Sequence, residues 1–175
     1  MRIETPRLIL RPPVAADRAA LHAIWRDPLV MADLGPVKTA AESDATLARH
    51  AAYPNGLAFH AVVRRDDAAV IGFCGVKPGA ADTPIAGEVE AGWIIARACW
   101  RHGYALEAML AVLDWCWAHT YAPRVVAITA RRNAKSRAMM QRLGMCQRPE
   151  LDFRHPQFAP DDPLGDVVTY ALHRP

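Results

Sequence analysis

"WRHGYALEA", residues 100–108, is the stretch whose reading decides the fold. One glycine, Gly103, stands between Arg101–His102 and the start of a long apolar pattern. Upstream, "EVEAGWII" (88–95) reads as a strand. Downstream, Leu106, Met109, Leu110, Leu113 and Trp117 recur at i, i+3, i+4, i+7 and i+11, one stripe of an amphipathic helix beginning at Tyr104. A strand that feeds a helix through a tight glycine turn leaves the first N–H groups of the helix unpaired. With the positive end of the helix dipole, those groups form an anion site that needs no particular side chain. Gly103 has no Cβ, so a phosphate can approach its backbone, while Arg101 and His102 add donors beside it. A plain strand-to-helix turn that uses glycine for positive φ fits the same residues, and the fragment alone leaves both readings open. It lacks G-x-G-x-x-G and G-K-[ST], which sets aside the dinucleotide and P-loop classes.

Outward from this turn the chain alternates between the two periods. "RLILR" (7–11) is a short strand, stopped by Pro12 and Pro13. "VAADRAALHAIWRD" (14–27) reads as a helix with Leu21, Ile24 and Trp25 on one face, and "AAESDATLARHAA" (40–52) as a second. "LAFHAVVRR" (57–65) and "AVIGFCGVK" (69–77) form an expected hairpin turning at Asp66 and Asp67. Residues 79–87 are a loop, and residues 88–95 the third strand of this meander. "RVVAIT" (124–129) is nearly all apolar, as a strand covered on both faces should be. In "NAKSRAMMQRLG", Asn133 is a helix N-cap and Gly144 takes the left-handed position after the helix. A Pro-rich loop precedes the last strand, "DVVTYALH" (166–173). The order β-α-α-β-β-β-α-β-α-β predicts one α/β domain over residues 1–175, with helices packed on a mostly antiparallel sheet.

Composition narrows the function classes. The 175 residues amount to about one domain, and 52% hydrophobic side chains suffice for a real core. A net charge of +3 permits an anionic ligand but falls short of the basic balance of a nucleic-acid binder, so nucleic acid is not expected as the main partner. No apolar run approaches a membrane span, and "MRIETPRLIL" lacks the h-region of a signal peptide. Four scattered cysteines without a C-x-x-C pair are expected to be reduced thiols of a cytoplasmic protein. The seven histidines are equally scattered, and no metal site is expected.

The turn does not stand alone. "WRHGYALEA" resembles the pyrophosphate-binding motif of the GNAT N-acetyltransferase superfamily, Q/R-x-x-G-x-G/A, and is most similar to its Rim-type branch of ribosomal-protein acetyltransferases. "TPRLILRPPVAADRAALHAIWRDP" looks like that branch's opening strand and helix. "VEAGWII" resembles its CoA-cradling strand, and "NAKSRAMMQRLGM" its N-x-x-S…L-G-F segment. The segments follow the family's order from Thr5 to Met145 and cover most of the chain.

The resemblance implies a central sheet of about six to seven strands flanked by about four helices. Two parallel strands, here residues 89–95 and 125–130, splay apart to form a cleft for acetyl-CoA. Backbone groups around Trp93, Ile94 and Ile95 would bind the pantetheine amides as an added strand does. The pyrophosphate would rest on the N–H groups of Arg101, His102, Gly103, Tyr104 and Ala105. Trp100 stands where the motif begins with Gln or Arg, so anion binding leans on backbone amides. Asn133 matches a CoA-contacting Asn and can serve as N-cap as well. Ser136 matches a position near the thioester sulfur, though a hydroxyl there also suits a solvated or back-bonding role. Met140 occupies the position of the superfamily's common acid, a Tyr.

The implied reaction is direct attack of a neutral amine on the thioester carbonyl. A carboxylate or water takes the amine proton, and a strand N–H near Ile94 polarises the carbonyl. Glu88 and Glu90 share one face of their strand. Glu90, nearer the splay, is the expected base or amine-binding group; a polar outer face or partners for arginines is the competing role. Glu107 is expected to hold the turn or pair with an Arg. "LDFRHPQF" (151–158) suits either an acceptor-pocket wall or a loop pinned by Phe153 and Phe158. Arg131 or Arg132 could reach a CoA phosphate. The implied activity is an acyltransferase, acetylating a protein N-terminus or a small-molecule amine. A CoA-binding sensor without catalysis is the alternative, and an exposed sheet edge permits a homodimer.

Overall fold

The computed structural model describes residues 1–175 and contains nine strands and five helices. In order they are β1 (Ile3–Glu4), β2 (Leu8–Arg11), α1 (Arg18–Arg26), α2 (Pro28–Met31), α3 (Ala40–Ala51), β3 (Phe59–Arg64), β4 (Val70–Pro78), β5 (Val89–Ile95), α4 (Tyr104–His119), β6 (Arg124–Ala130), α5 (Ala134–Arg142), β7 (Cys146–Gln147), β8 (Phe153–Arg154) and β9 (Asp166–His173). All strands join one sheet in the order β1-β2-β3-β4-β5-β6-β9-β7, with β8 also on β9. Every neighbouring pair is antiparallel except β5–β6. This is the expected mixed, mostly antiparallel α/β architecture. The two-residue strands β1, β7 and β8 and the short helix α2 are additions to it.

The parallel pair positions the site. β5 and β6 touch only at Val89–Val125 and Glu90–Val126. β5 nevertheless stays on β4 as far as Gly72–Ile95, and β6 stays on β9 as far as Ala130–Val167. The two strands therefore part beyond Glu90 and Val126, each held by its outer neighbour. Alternation then assigns the free backbone groups. Gly79 N–H donates to Glu88 O at 2.9 Å and Ala96 N–H to Ile71 O at 2.8 Å, and the register between them is unbroken. Even-numbered residues of β5 thus exchange bonds with β4; of the odd-numbered ones, Val89 and Ala91 serve the short pairing with β6, and Trp93 and Ile95 turn their N–H groups toward the opening.

Two layers cover the sheet. On one face Ala91, Ile95, Val125 and Ala127 pack under α4, together with Met140 of α5. On the other, Leu21, Ile24 and Trp25 of α1 and Val30 and Met31 of α2 pack on Phe73 and Ile94. α4 is rotated from the expected stripe. Its buried residues are Ala108, Met109, Val112, Leu113 and Cys116, whereas Leu110 is 47% exposed. The helix is apolar nearly all round, so several stripes compete, and the small Ala108 and Cys116 let it lie close to the sheet.

The first helix also differs from expectation. Asp17 accepts the Val14 N–H at 2.8 Å and grips Arg11, so residues 15–17 form a 3-10 turn before α1. Asp27 then accepts the Leu29 N–H at 2.9 Å, and Pro28 at the first helical position starts α2. α3 keeps its expected place, capped by Thr39 and Glu42.

Candidate active site

After β5 the chain makes a 3-10 turn at Arg97–Cys99, and Trp100 Nε1 donates back to Ile95 O at 2.8 Å. Arg101 (φ +65°) and Gly103 (φ +80°) are both left-handed around His102. The αL conformation costs Arg101 about 1–2 kcal/mol, a strain that tends to collect at functional sites. Its effect is on the donors. The first bond of α4 runs from Glu107 N–H to Gly103 O at 3.0 Å. The six N–H groups from Arg101 to Leu106 have no acceptor in the protein. They form a continuous donor row at a helix N-terminus.

A clamp holds this turn. Glu107 accepts from Thr5 Oγ1 at 2.6 Å, from Arg7 N–H at 2.9 Å and from Arg7 Nε at 2.6 Å, while Arg7 Nη1 donates to His102 O at 3.0 Å. Burial alone would push the Glu107 carboxyl up, but the Thr5 and Arg7 hydrogen bonds outweigh it and hold it below the ordinary value. Glu107 therefore pairs with an Arg and fastens the turn, as expected. His102 contributes its backbone only: its Nδ1 donates to Trp100 O at 2.8 Å and its ring stacks on Tyr104, outside the cleft.

The donor row opens on a cleft of about 590 Å³ between the splayed end of β5, the turn and α5. Of the expected cofactor residues, Trp93, Ile94, Ile95, Arg101, Gly103, Tyr104, Ala105 and Asn133 line it, as does Ser136. Ile94 presents its side chain and not its N–H, which points to Phe73 of β4; the odd-numbered neighbours Trp93 and Ile95 carry the free N–H groups. Asn133 is buried, accepting the Ser136 N–H at 3.1 Å and donating to Thr129 Oγ1 at 2.9 Å, so it is the N-cap of α5. Sequence reasoning missed Asp33 and Leu34, which follow α2, and Lys135, Met139 and Arg142 of α5. The Lys135 ammonium lies 4.4 Å from the Trp100 ring centroid, across the cleft mouth. Arg131 is engaged away from the cleft, with Asp152 and Asp166, while Arg132 pairs with the cleft residue Asp33 without lining the cleft itself.

A second cavity, of about 370 Å³, lies against α3 and shares Leu34, Trp93, Ile94 and Ser136 with the first. Ser136 sits at the junction, and its Oγ makes no hydrogen bond within the protein, back-bonding included. Glu90 lines the second cavity, opposite Lys77 on β4, with which it forms an ion pair. Burial raises the Glu90 carboxyl above its ordinary value, against the pull of Lys77. Glu88 instead pairs with Arg124 at 2.6 Å and lines neither cavity. Met140, 1% exposed, stands at the inner wall and has no proton to give. Gln157 of the late loop reaches this cavity, while Phe153, His155 and Phe158 pack on one another, so the loop is both wall and pinned segment. No group of three or more His, Cys, Asp or Glu side chains is placed to hold a metal ion, and no helix is long and apolar enough to cross a membrane.

Known proteins share this fold. The sequence pattern of the acetyltransferase (GNAT) domain matches residues 7–146. An acetyltransferase from Agrobacterium tumefaciens has the same fold with a TM-score of 0.80 and 26% identity, over 99% of this chain and 95% of that one. A GNAT-family acetyltransferase from Bacillus anthracis superposes with a TM-score of 0.78 at 23% identity, over 99% and 98% of the two chains. A Vibrio cholerae chain proposed to be a ribosomal-protein-serine acetyltransferase shares the fold at 17% identity, with a TM-score of 0.76 over 99% and 98%. With the splayed strands, the donor row and a family match over most of its length, the chain belongs to the GNAT acetyltransferase family, whose members take the acetyl group from acetyl-CoA.

Proposed function

We propose that this chain is an N-acetyltransferase that moves the acetyl group of acetyl-CoA to a primary amine by direct attack on the thioester. The observation that carries the reading is the row of N–H groups from Arg101 to Leu106, without acceptors and continuous with the opening between β5 and β6. Such a row suits a pyrophosphate, and an edge with the N–H groups of Trp93 and Ile95 and the carbonyl of Trp93 suits the amides of pantetheine. The acyl end then falls where the two cavities meet, beside Ser136.

The acceptor enters through the second cavity. Glu90 takes a proton from the arriving ammonium, which frees the nitrogen lone pair, and burial of its carboxyl favours holding that proton. The nitrogen bonds to the acetyl carbon as the carbon–sulfur bond breaks, and the electron pair leaves on sulfur. A free N–H of Trp93 or Ile95, in place of that of Ile94, faces the carbonyl oxygen during the attack. Ser136 Oγ, with no bond of its own, faces the departing thiolate. A thiol's pKa of roughly 8.5 makes that thiolate a tolerable leaving group without the acid that Met140 replaces. The resemblance of the W-x-x-G-Y-A-x-E-A run to the Rim-type branch supports a reading within that branch, and a cytoplasmic setting goes with it.

One observation favours a non-catalytic CoA sensor instead: Glu90 is already paired with Lys77. Calorimetric titration with acetyl-CoA, followed by thiol release in the presence of amines and N-terminal peptides, separates the two. Acceptor-dependent release establishes the transferase. Binding with no release from any acceptor favours the sensor, and absence of binding overturns both.

A further inference from the structure

The second cavity carries charge that the transfer step leaves unused. α3 turns Glu42, Thr46, Arg49 and His50 toward it, residues at i, i+4, i+7 and i+8 on one helix face. Lys38, just before α3, and the Lys77–Glu90 pair complete its charged wall. Three of these charges are satisfied. Lys77 and Glu90 hold each other, and Glu42 Oε2 accepts from Thr39 N–H at 2.7 Å and Thr39 Oγ1 at 2.8 Å. The Lys38 ammonium and the Arg49 guanidinium have neither an ion pair nor a hydrogen bond.

The two cations line one cavity, and each acts on the groups around it. Burial, and then the Arg49 charge, pushes the Lys38 ammonium below its ordinary value, against the pull of Glu42. His50 is held neutral, at about 3, by burial first and then by Arg49, Lys77, His60 and Lys38. Three cations and two carboxylates share this wall; Lys77 and Glu90 hold each other and Glu42 is bonded to Thr39, so Lys38 and Arg49, neither ion-paired, leave it net positive and suited to an anion. Between these cations and Glu90 the wall is aromatic: Trp25 meets Phe73 edge-on at 5.4 Å, and Phe59 lies 5.7 Å from Phe73.

We propose that the acceptor is a small molecule carrying both a primary amine and a carboxylate, of the free amino acid class, its carboxylate held by Lys38 and Arg49 while its amine meets Glu90. This rests on the transferase reading. Two features separate such an acceptor from a protein N-terminus. The first residue of a protein has its α-carboxylate tied up in a peptide bond, with none to offer Lys38 and Arg49. A cavity of about 370 Å³ also sits in the range of small-ligand sites. The transfer balances: the ammonium gives one proton to Glu90 and on to solvent, the nitrogen–acetyl bond forms as the thioester carbon–sulfur bond breaks, and the second proton lost from nitrogen passes to the departing thiolate, leaving the amide and the free CoA thiol. The carboxylate takes no part beyond holding position.

The test measures kcat/KM by thiol release at saturating acetyl-CoA for the protein amino acids and short ω-amino acids, each beside its carboxamide, and for N-terminal peptides with amidated ends. At least one acid is expected to exceed its amide by about tenfold or more, the scale of a charge-assisted contact. Arg49→Met and Lys38→Met should each collapse that ratio, and Arg49→Lys should restore part of it. Arg49 is exposed and Lys38 half-buried, so these variants retain the fold. Amides used as well as acids, a ratio that survives both Met variants, or turnover confined to peptides overturns the inference. So does bound acetyl-CoA with no turnover of any acid. Acetyl-CoA titration of the same samples tells the failures apart: loss of the inference alone leaves acetyl-CoA binding intact, whereas no binding removes the transferase reading with it.

Discussion

Gly103→Val separates the donor row from the rest of the fold. Gly103 has φ +80° and ψ 2°, and a Cβ there meets only Arg7 Nη2, at an ordinary 3.5 Å. Nothing overlaps, so the cost of the substitution is conformational. A side chain in the left-handed region loses about 1–2 kcal/mol, with β-branched Val at the upper end. That is a fraction of a domain's roughly 5–15 kcal/mol and lowers Tm by only ~2–8 °C at this size. Binding should suffer more. Either the Val methyls stand in front of the N–H groups, or φ relaxes and the row no longer converges. Loss of two charge-assisted hydrogen bonds, at about 1.5 kcal/mol each, weakens acetyl-CoA roughly a hundredfold. Calorimetric titration beside thermal unfolding reads both effects. Gly87→Val is the control, since Gly87 has φ +82°, open surroundings and no place in either cavity. It should lose similar stability and no affinity. A folded Gly103→Val protein with wild-type affinity, or an equal affinity loss in Gly87→Val, refutes the reasoning.

Three further outcomes are expected. Glu107→Gln removes the anchor of the turn without touching the cleft; it should cost roughly 1–3 kcal/mol in urea unfolding and also weaken acetyl-CoA, whereas a purely local role would spare the affinity. Ser136→Ala and Glu90→Gln should lower kcat while leaving acetyl-CoA affinity within about twofold; an unchanged kcat in both removes them from the mechanism. Asp17→Asn breaks the grip on Arg11 and should cost about 3 kcal/mol near neutral pH. Burial opposes the charge on Asp17, but Arg11 and the Val14 N–H outweigh it and hold its pKa below 3.8. The pair's contribution is therefore present above pH 3.8 and is lost as pH falls through the folded value, so wild type and variant should converge in acid unfolding. A constant gap down to strongly acid pH would contradict this.

Local signals carried most of the fold. The strand and helix on either side of Gly103, the caps at Asn133 and Gly144 and the nearly all-apolar β6 are each set by a few neighbouring residues, and all lie where the sequence places them. α2 was also within reach, since Asp27 before Pro28 is an N-cap followed by a first-turn proline. The face of α4 was not, because an almost wholly apolar helix has no single stripe to read and its neighbours choose one. β1, β7 and β8 are two-residue strands made by long-range pairing, below any periodic signal. The same limit applies at the site. Which of Trp93, Ile94 and Ile95 frees its N–H depends on the register with β4, and the partner of Glu90 is a cross-strand Lys far away in sequence. Lys38, Arg49 and Lys135 belong to no motif in the sequence, and only the fold sets them beside a cavity.

The central claim is that acetyl-CoA lies along the donor row and the parted edge of β5. At 19.3 kDa the protein suits backbone amide NMR, titrated with acetyl-CoA. The account predicts that the amide signals of Arg101 to Leu106, Trp93 and Ile95 move most, while that of Ile94, bonded to β4, moves less. Large shifts confined to other parts of the sheet, or none in residues 101–106, would contradict it.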